Sequence, residues 1–375
     1  MAKGTVGRRG GRLNRRALAA LLTFGALVIL GLVGYMSGGG IANAYYYYYY
    51  SAPGPPANLT LAPSTATNTV GTTHTLTATV TDSSSTAVPS ITVRFSVTGA
   101  VTTSGQCVTD ASGMCTFSYA GPTAPGSDAI SAFADSNGNS TADPGEPTAT
   151  ATKVWVHGPP SNLALAPAAA TNPVGTSHSV TATVKDSFGN VISGALVNFT
   201  VTGSVSTTGQ CTTDATGQCS FSYAGPVLPG ADLITGVVGT SGPTATAMKS
   251  WVLPPSTPGH VTGGGQIVSG SGNTVAFGFD VNHTTKNIKG ECNVISLSPK
   301  RMIRCVDVST LVVSGSMATF YGHAVDSGSG TGTGTTFVIK VVDNGEPGTA
   351  DTFSITTASG FSASGTLSGG NIQVH

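Results

Sequence analysis

One stretch of this chain occurs twice. Asn58-Leu59-Thr60-Leu61-Ala62-Pro63 returns as Asn162-Leu163-Ala164-Leu165-Ala166-Pro167, and Val70-Gly71-Thr72-Thr73-His74 as Val174-Gly175-Thr176-Ser177-His178. Gly105-Gln106-Cys107 and Cys115-Thr116-Phe117-Ser118-Tyr119-Ala120-Gly121-Pro122 recur as Gly209-Gln210-Cys211 and Cys219-Ser220-Phe221-Ser222-Tyr223-Ala224-Gly225-Pro226, at a constant offset of 104 residues. Trp155 then pairs with Trp251 at an offset of 96, so the second copy has lost eight residues just before its Trp. A unit of about 100 residues buries only a modest core and gains from a staple.

Within each copy the pattern is that of half-buried strands. Thr75-Leu76-Thr77-Ala78-Thr79-Val80 and Val180-Thr181-Ala182-Thr183-Val184 alternate apolar and hydroxyl residues, as do Ile91–Val97 and Leu196–Val201. Only 9% of residues are charged, and there are 51 glycines. Abundant Thr and Val with few helix formers favour strands joined by tight turns. The expected fold class is all-β: two tandem Ig-like β-sandwiches, then a third all-β domain of sandwich or jelly-roll type. The expected boundaries are 57–157 and 158–254 for the repeats, after a Tyr/Pro/Gly-rich linker at 45–56, and 255–375 for the C-terminal domain.

Several motifs resemble the bacterial Ig-like domain of the invasin/intimin type (Big-1). The second copy has Val184-Lys185-Asp186, the turn Gly189-Asn190, Gly194-Ala195-Leu196-Val197-Asn198-Phe199 and Asp214-Ala215-Thr216-Gly217. The first copy keeps Val80-Thr81-Asp82, Val93-Arg94-Phe95 and Asp110-Ala111-Ser112-Gly113, but has Ser84-Ser85 at the turn and Ser90 before the strand. The resemblance covers residues 57–254. It implies a surface stalk or adhesive module and identifies no ligand. The chain's last residues, from Gly365 to His375, resemble a C-terminal module of secreted bacterial proteins.

Six cysteines allow fifteen pairings. The repeat favours Cys107–Cys115 and Cys211–Cys219, each pair spanning an Asp-x-x-Gly turn and facing across a hairpin. Cys292–Cys305 is then the third disulfide. A seven-residue gap does not fit CxxC metal or redox chemistry, and an exported protein meets oxidising conditions.

The eight-residue excess of the first copy falls near Asp135-Ser136-Asn137-Gly138-Asn139-Ser140-Thr141-Ala142-Asp143-Pro144-Gly145-Glu146. Counted from Asp135, oxygen donors stand at positions 1, 3, 5, 7, 9 and 12: Asp135, Asn137, Asn139, Thr141, Asp143 and Glu146. That is the ligand spacing of an EF-hand loop, and hard oxygens suit Ca²⁺. Ser140 occupies the sixth position, where an EF-hand has Gly, and no amphipathic helix flanks the loop. A polar turn accounts for the same residues. The acidic loop Asp343–Asp351 has too few donors at fitted spacing.

Residues 1–44 read as a signal peptide or an N-terminal membrane anchor. Lys3, Arg8, Arg9, Arg12, Arg15 and Arg16 precede a charge-free run from Ala17 to Met36, and Ala42-Asn43-Ala44 is an A-x-A pattern. A cleaved signal and an uncleaved transmembrane helix both stay open, the latter because the run is long enough to span a bilayer. Tyr45–Tyr50 would sit at the interface of an anchored form. Either topology exports everything after residue 50. That remainder carries 10 basic and 16 acidic residues, a net of −6, which argues against nucleic-acid binding.

No GxSxG elbow, P-loop or HExxH motif is present. A hidden hydrolase would need converging acids, for instance Asp307 with Asp326. His260, His283, His323 and His375 are the histidines that could cluster. The expected function is a non-enzymatic structural or adhesive surface protein with an extracellular protein or carbohydrate partner. In the alternative, the C-terminal domain binds sugar or matrix through exposed Phe277, Phe279, Phe320 and Tyr321.

Overall fold

The computed structural model describes residues 28–37, 40–49, 52–270, 272–298, 300–329 and 332–375. It divides into two compact units, Met1–His157 and Gly158–His375. The basic segment and the start of the apolar run lie outside the described residues. The remainder of that run is not the expected helix: β1 (Val28–Ser37) pairs antiparallel with β2 (Gly40–Tyr49). Valine, isoleucine and tyrosine are strand formers, and Gly31 and Gly34 weaken a helix.

The first repeat consists of β3 (Asn58–Ala62), β4 (Thr65–Thr69), β5 (Thr73–Thr81), β6 (Thr92–Gly99), β7 (Thr103–Val108), β8 (Met114–Ala120), β9 (Gly126–Asp135) and β10 (Thr148–Val156). Sheet β3-β5-β8 faces sheet β4-β10-β9-β6-β7, and β4 joins β10 in parallel. The first strand thus changes sheet midway, in an Ig-like arrangement. Alternation sends Leu76, Ala78 and Val80 of β5 inward against Val93, Phe95 and Val97 of β6.

The second repeat reproduces this in β11 (Asn162–Ala166), β12 (Ala169–Pro173), β13 (Ser177–Lys185), β14 (Leu196–Gly203), β15 (Thr207–Thr212), β16 (Gln218–Ala224), β17 (Gly230–Val238) and β18 (Thr244–Val252). Its sheets are β11-β13-β16 and β12-β18-β17-β14-β15.

The repeat disulfides form as paired, Cys107–Cys115 and Cys211–Cys219, each with Cα atoms 5.8 Å apart. They do not close a hairpin, however. Cys107 lies on β7, paired with β6, whereas Cys115 lies on β8, paired with β5. The chain arches from one sheet to the other between them, so the bond staples sheet to sheet. The arch is built as the motif suggested: Asp110 Oδ1 accepts the Ser112 and Met114 amides, and Gly113 takes φ +72°.

The C-terminal domain is neither sandwich nor jelly roll. β19 (Gly259–Val268), β20 (Thr274–His283), β21 (Ile288–Leu297), β22 (Lys300–Ser314), β23 (Met317–Asp326), β24 (Thr333–Val342), β25 (Thr352–Thr357) and β26 (Ser362–Val374) follow one another into a closed antiparallel barrel. β19 and β26 close it, Val261 opposite Val374. The lumen is packed with apolar side chains, among them Phe277 stacked on Phe353 at 3.9 Å and Phe320 edge-on to Phe337. Exposed Lys289, Glu291, Lys340 and Ser364 lie outside. This polarity is the reverse of a transmembrane barrel, whose apolar band faces outward. Cys292 and Cys305 are bonded across β21 and β22, Cα atoms 5.1 Å apart.

Tyr321 and Val338, opposite each other on β23 and β24, are buried in the apolar cluster of the second repeat. The barrel wall therefore caps that repeat's core.

Candidate functional site

Two arrangements concentrate polar chemistry: a buried network present in both repeats, and the long loop of the first.

In the first repeat Asp128 lies on β9 facing the core. Its Oδ2 accepts from Trp155 Nε1 at 2.7 Å and from Tyr119 Oη at 3.0 Å, and its Oδ1 accepts from the Val101 amide at 2.7 Å. Lys153, with no exposed surface, holds Nζ 4.4 Å from the Trp155 ring centroid and donates to the Val154 carbonyl. His74 meets Tyr119 and Trp155 edge-on. Asp232, Trp251, Tyr223, Val205, Lys249 and His178 repeat the design in the second copy. Burial drives the phenols of Tyr119 and Tyr223 well above their ordinary range and holds His74, His178, Lys153 and Lys249 below theirs. The tryptophans are core residues. The lysines were missed, although Lys153-x-Trp155 and Lys249-x-Trp251 place Lys and Trp on one strand face.

The loop after β9 begins at Asp135, which is 4% exposed. Its Oδ2 accepts from Arg94 Nε at 2.7 Å and from the Ser140 amide at 3.1 Å. The Arg94 guanidinium holds this carboxyl below the usual carboxylate range. Its Oδ1 is buried and has no hydrogen-bond partner. Asn137 and Asn139 direct their side-chain amides to Asp143 Oδ2 at 2.7 and 2.6 Å. Their own oxygens accept the Asn139 and Thr141 amides. Glu146 accepts from Ser136 and from the Asp143 amide, closing the loop on itself. Ser140 adopts φ +69°, the left-handed turn for which the EF-hand keeps a glycine at this position.

The structure thus brings Asn137, Asn139 and Asp143 together and ties Glu146 across to Ser136. Thr141 contributes its amide to Asn139. Among the described residues, no three His, Cys, Asp or Glu side chains converge as a metal-holding group. The acidic loop Asp343–Asp351 is different: two of its acids are taken up by backbone amides, Asp351 by Asn344 and Ile372 and Asp343 by Gly345 and Val374, and Glu346 accepts from the side-chain amides of Asn371 and Gln373.

In the barrel, Asp307 pairs with His323 at 3.0 Å, whereas buried Asp326 binds Arg301, Ser359 and the Gly328 amide. The two acids serve separate partners. His260 stands near His375 and pairs with Asp280, and His283 bonds the Thr257 carbonyl. Phe277, Phe279, Phe320 and Tyr321 are all buried, so the aromatic platform proposed for sugar is not formed.

No family model and no curated protein matches the chain. Solved structures do. The D0-D1 domain of intimin is 19% identical, covers 52% of this chain and 98% of its own, at a TM-score of 0.20. Yersinia pseudotuberculosis InvD is 16% identical over 84% of this chain and 81% of its own, at 0.33. Invasin, described as a bacterial integrin-binding protein, is 14% identical over 83% and 79%, at 0.27. These are bacterial Ig-like adhesin structures, the type that the residue motifs resemble. At TM-scores this low the likeness says nothing of function.

Proposed function

We propose that this chain is a non-enzymatic, exported bacterial surface protein whose Ig-like repeats form a stalk with an adhesive role toward an extracellular protein partner. The observation that carries this reading is the duplicated lock between sheets. Each repeat joins its two sheets covalently through Cys107–Cys115 or Cys211–Cys219, and again through Asp128 or Asp232 in the core. Small modules built this way suit an oxidising exterior and resist partial opening. The segment ahead of each repeat is tied down as well: Gly54 N donates to Asp82 and Gly158 N to Asp186. Short Pro-rich segments held in this manner make stiff spacers. The basic N-terminus with its A-x-A pattern at Ala42-Asn43-Ala44, read as a signal peptide, supplies the export route. The core acids Asp128 and Asp232 and the buried barrel acid Asp326 are engaged in structural bonds, which supports the non-enzymatic reading.

Beads coated with the full chain test the adhesive role on cultured epithelial cells and on immobilised matrix protein. Saturable attachment above that of uncoated beads, abolished when the chain is reduced and denatured, is expected. Attachment no greater than that of uncoated beads on either surface would refute it.

A further inference from the structure

We propose that the loop Asp135–Glu146 of the first repeat is a calcium site, with Asp135, Asn137, Asn139, Asp143 and Glu146 as side-chain donors and the Thr141 carbonyl completing the set. Buried polar oxygens are nearly always bonded, and an orphan needs an explanation. Asp135 Oδ1 is such an orphan, inside a carboxylate whose other oxygen already takes Arg94 and the loop's own Ser140 amide. A cation would satisfy it.

The second repeat serves as an internal control. There the position of Arg94 is Asn198, the position of Asp135 is Gly239, and Asn198 Nδ2 simply bonds the Gly239 carbonyl at 2.7 Å. The charged pair, the orphan oxygen and the added donors therefore occur together in one copy and are missing together from the other. The donor set is all oxygen, which selects Ca²⁺ over Zn²⁺, and an exported module works with a dissociation constant of roughly 10⁻⁴–10⁻³ M. Bound calcium would draw Asn137, Asn139 and Asp143 toward Asp135 and fix the β9–β10 connection.

The test is a CaCl₂ titration of the chelator-treated full-length chain, by calorimetry and by thermal unfolding read from tryptophan fluorescence, with MgCl₂ in parallel. One ion per chain is expected, with a rise in the unfolding temperature of the first repeat and at least tenfold weaker binding in Glu146→Gln. Asn139→Ala, at an exposed position, gives the same loss should Glu146→Gln fold poorly. No heat and no shift at 20 mM calcium would overturn the proposal. So would binding unchanged in both variants, or an equal response to magnesium.

Discussion

Replacing Asp128 by Ala removes the one acceptor of three donors at once. Tyr119 Oη, Trp155 Nε1 and the Val101 amide are left facing an apolar methyl. Each stranded buried donor costs about 1–3 kcal/mol. Lys153 also loses the nearby negative charge that favours its own charged form. These effects overlap, and a loss of about 4–6 kcal/mol is expected, comparable with the whole stability of a small domain. The assay is urea unfolding followed by tryptophan fluorescence. Trp155 and Trp251 are the only tryptophans, one in each repeat. Asp128→Ala should therefore split the transition. One half of the signal moves down by about 3 M urea, taking a slope of about 1.5 kcal/mol/M, and the other half stays. Asp128→Asn, which keeps one acceptor oxygen, should lose less. A single transition shifted by less than about 1 kcal/mol would refute the reasoning, because no buried donor would then depend on this carboxylate.

Other outcomes follow from the same structure. Cys107→Ser with Cys115→Ser should cost about 2.6 kcal/mol on the chain-entropy estimate for a nine-residue loop, read as a lower urea midpoint for the Trp155 signal. Gly121→Ala would place a methyl 2.5 Å from the Trp155 ring and 2.7 Å from the Thr72 carbonyl, and Gly225→Ala does the same at Trp251. Each should destabilise its own repeat by about 1–3 kcal/mol by overpacking, measured by thermal unfolding. Burial lowers the pKa of His74 and His178 in the folded chain, so the unfolded chain binds more protons in that range. Their contribution is full above the ordinary histidine pKa and falls as pH drops through the lowered value. Melting temperature should decline from pH 7.5 to pH 5, and His74→Phe with His178→Phe should flatten that decline.

The strands of the repeats and two of the three cysteine pairs were legible because alternation and duplication are written in the residues themselves, and Cys292–Cys305 was the pair that remained. Two features were not. Cys107 and Cys115 straddle a turn that could close a hairpin or arch between sheets, and only pairing with β6 and β5 decides this. The barrel was hidden because its closing seam is made of glycine. Gly263, Gly264 and Gly265 run beside Gly369 and Gly370, and a Cβ on Gly265 would come within 2.4 Å of the Gly369 carbonyl. Strand propensity is weakest where close backbone approach requires glycine, so the seam reads as turns. The donor spacing of the loop was visible, but the orphan oxygen of Asp135 depends on burial against β6, which spacing does not report.

Surface exposure of the stapled repeats is tested most directly on intact cells producing the full chain. Protease added from outside should remove the repeats while cytoplasmic markers stay whole, and a thiol-trapping reagent should label none of the six cysteines until a reductant is added. Repeats protected until the cells are lysed, with cysteines labelled without reductant, would contradict an exported stalk.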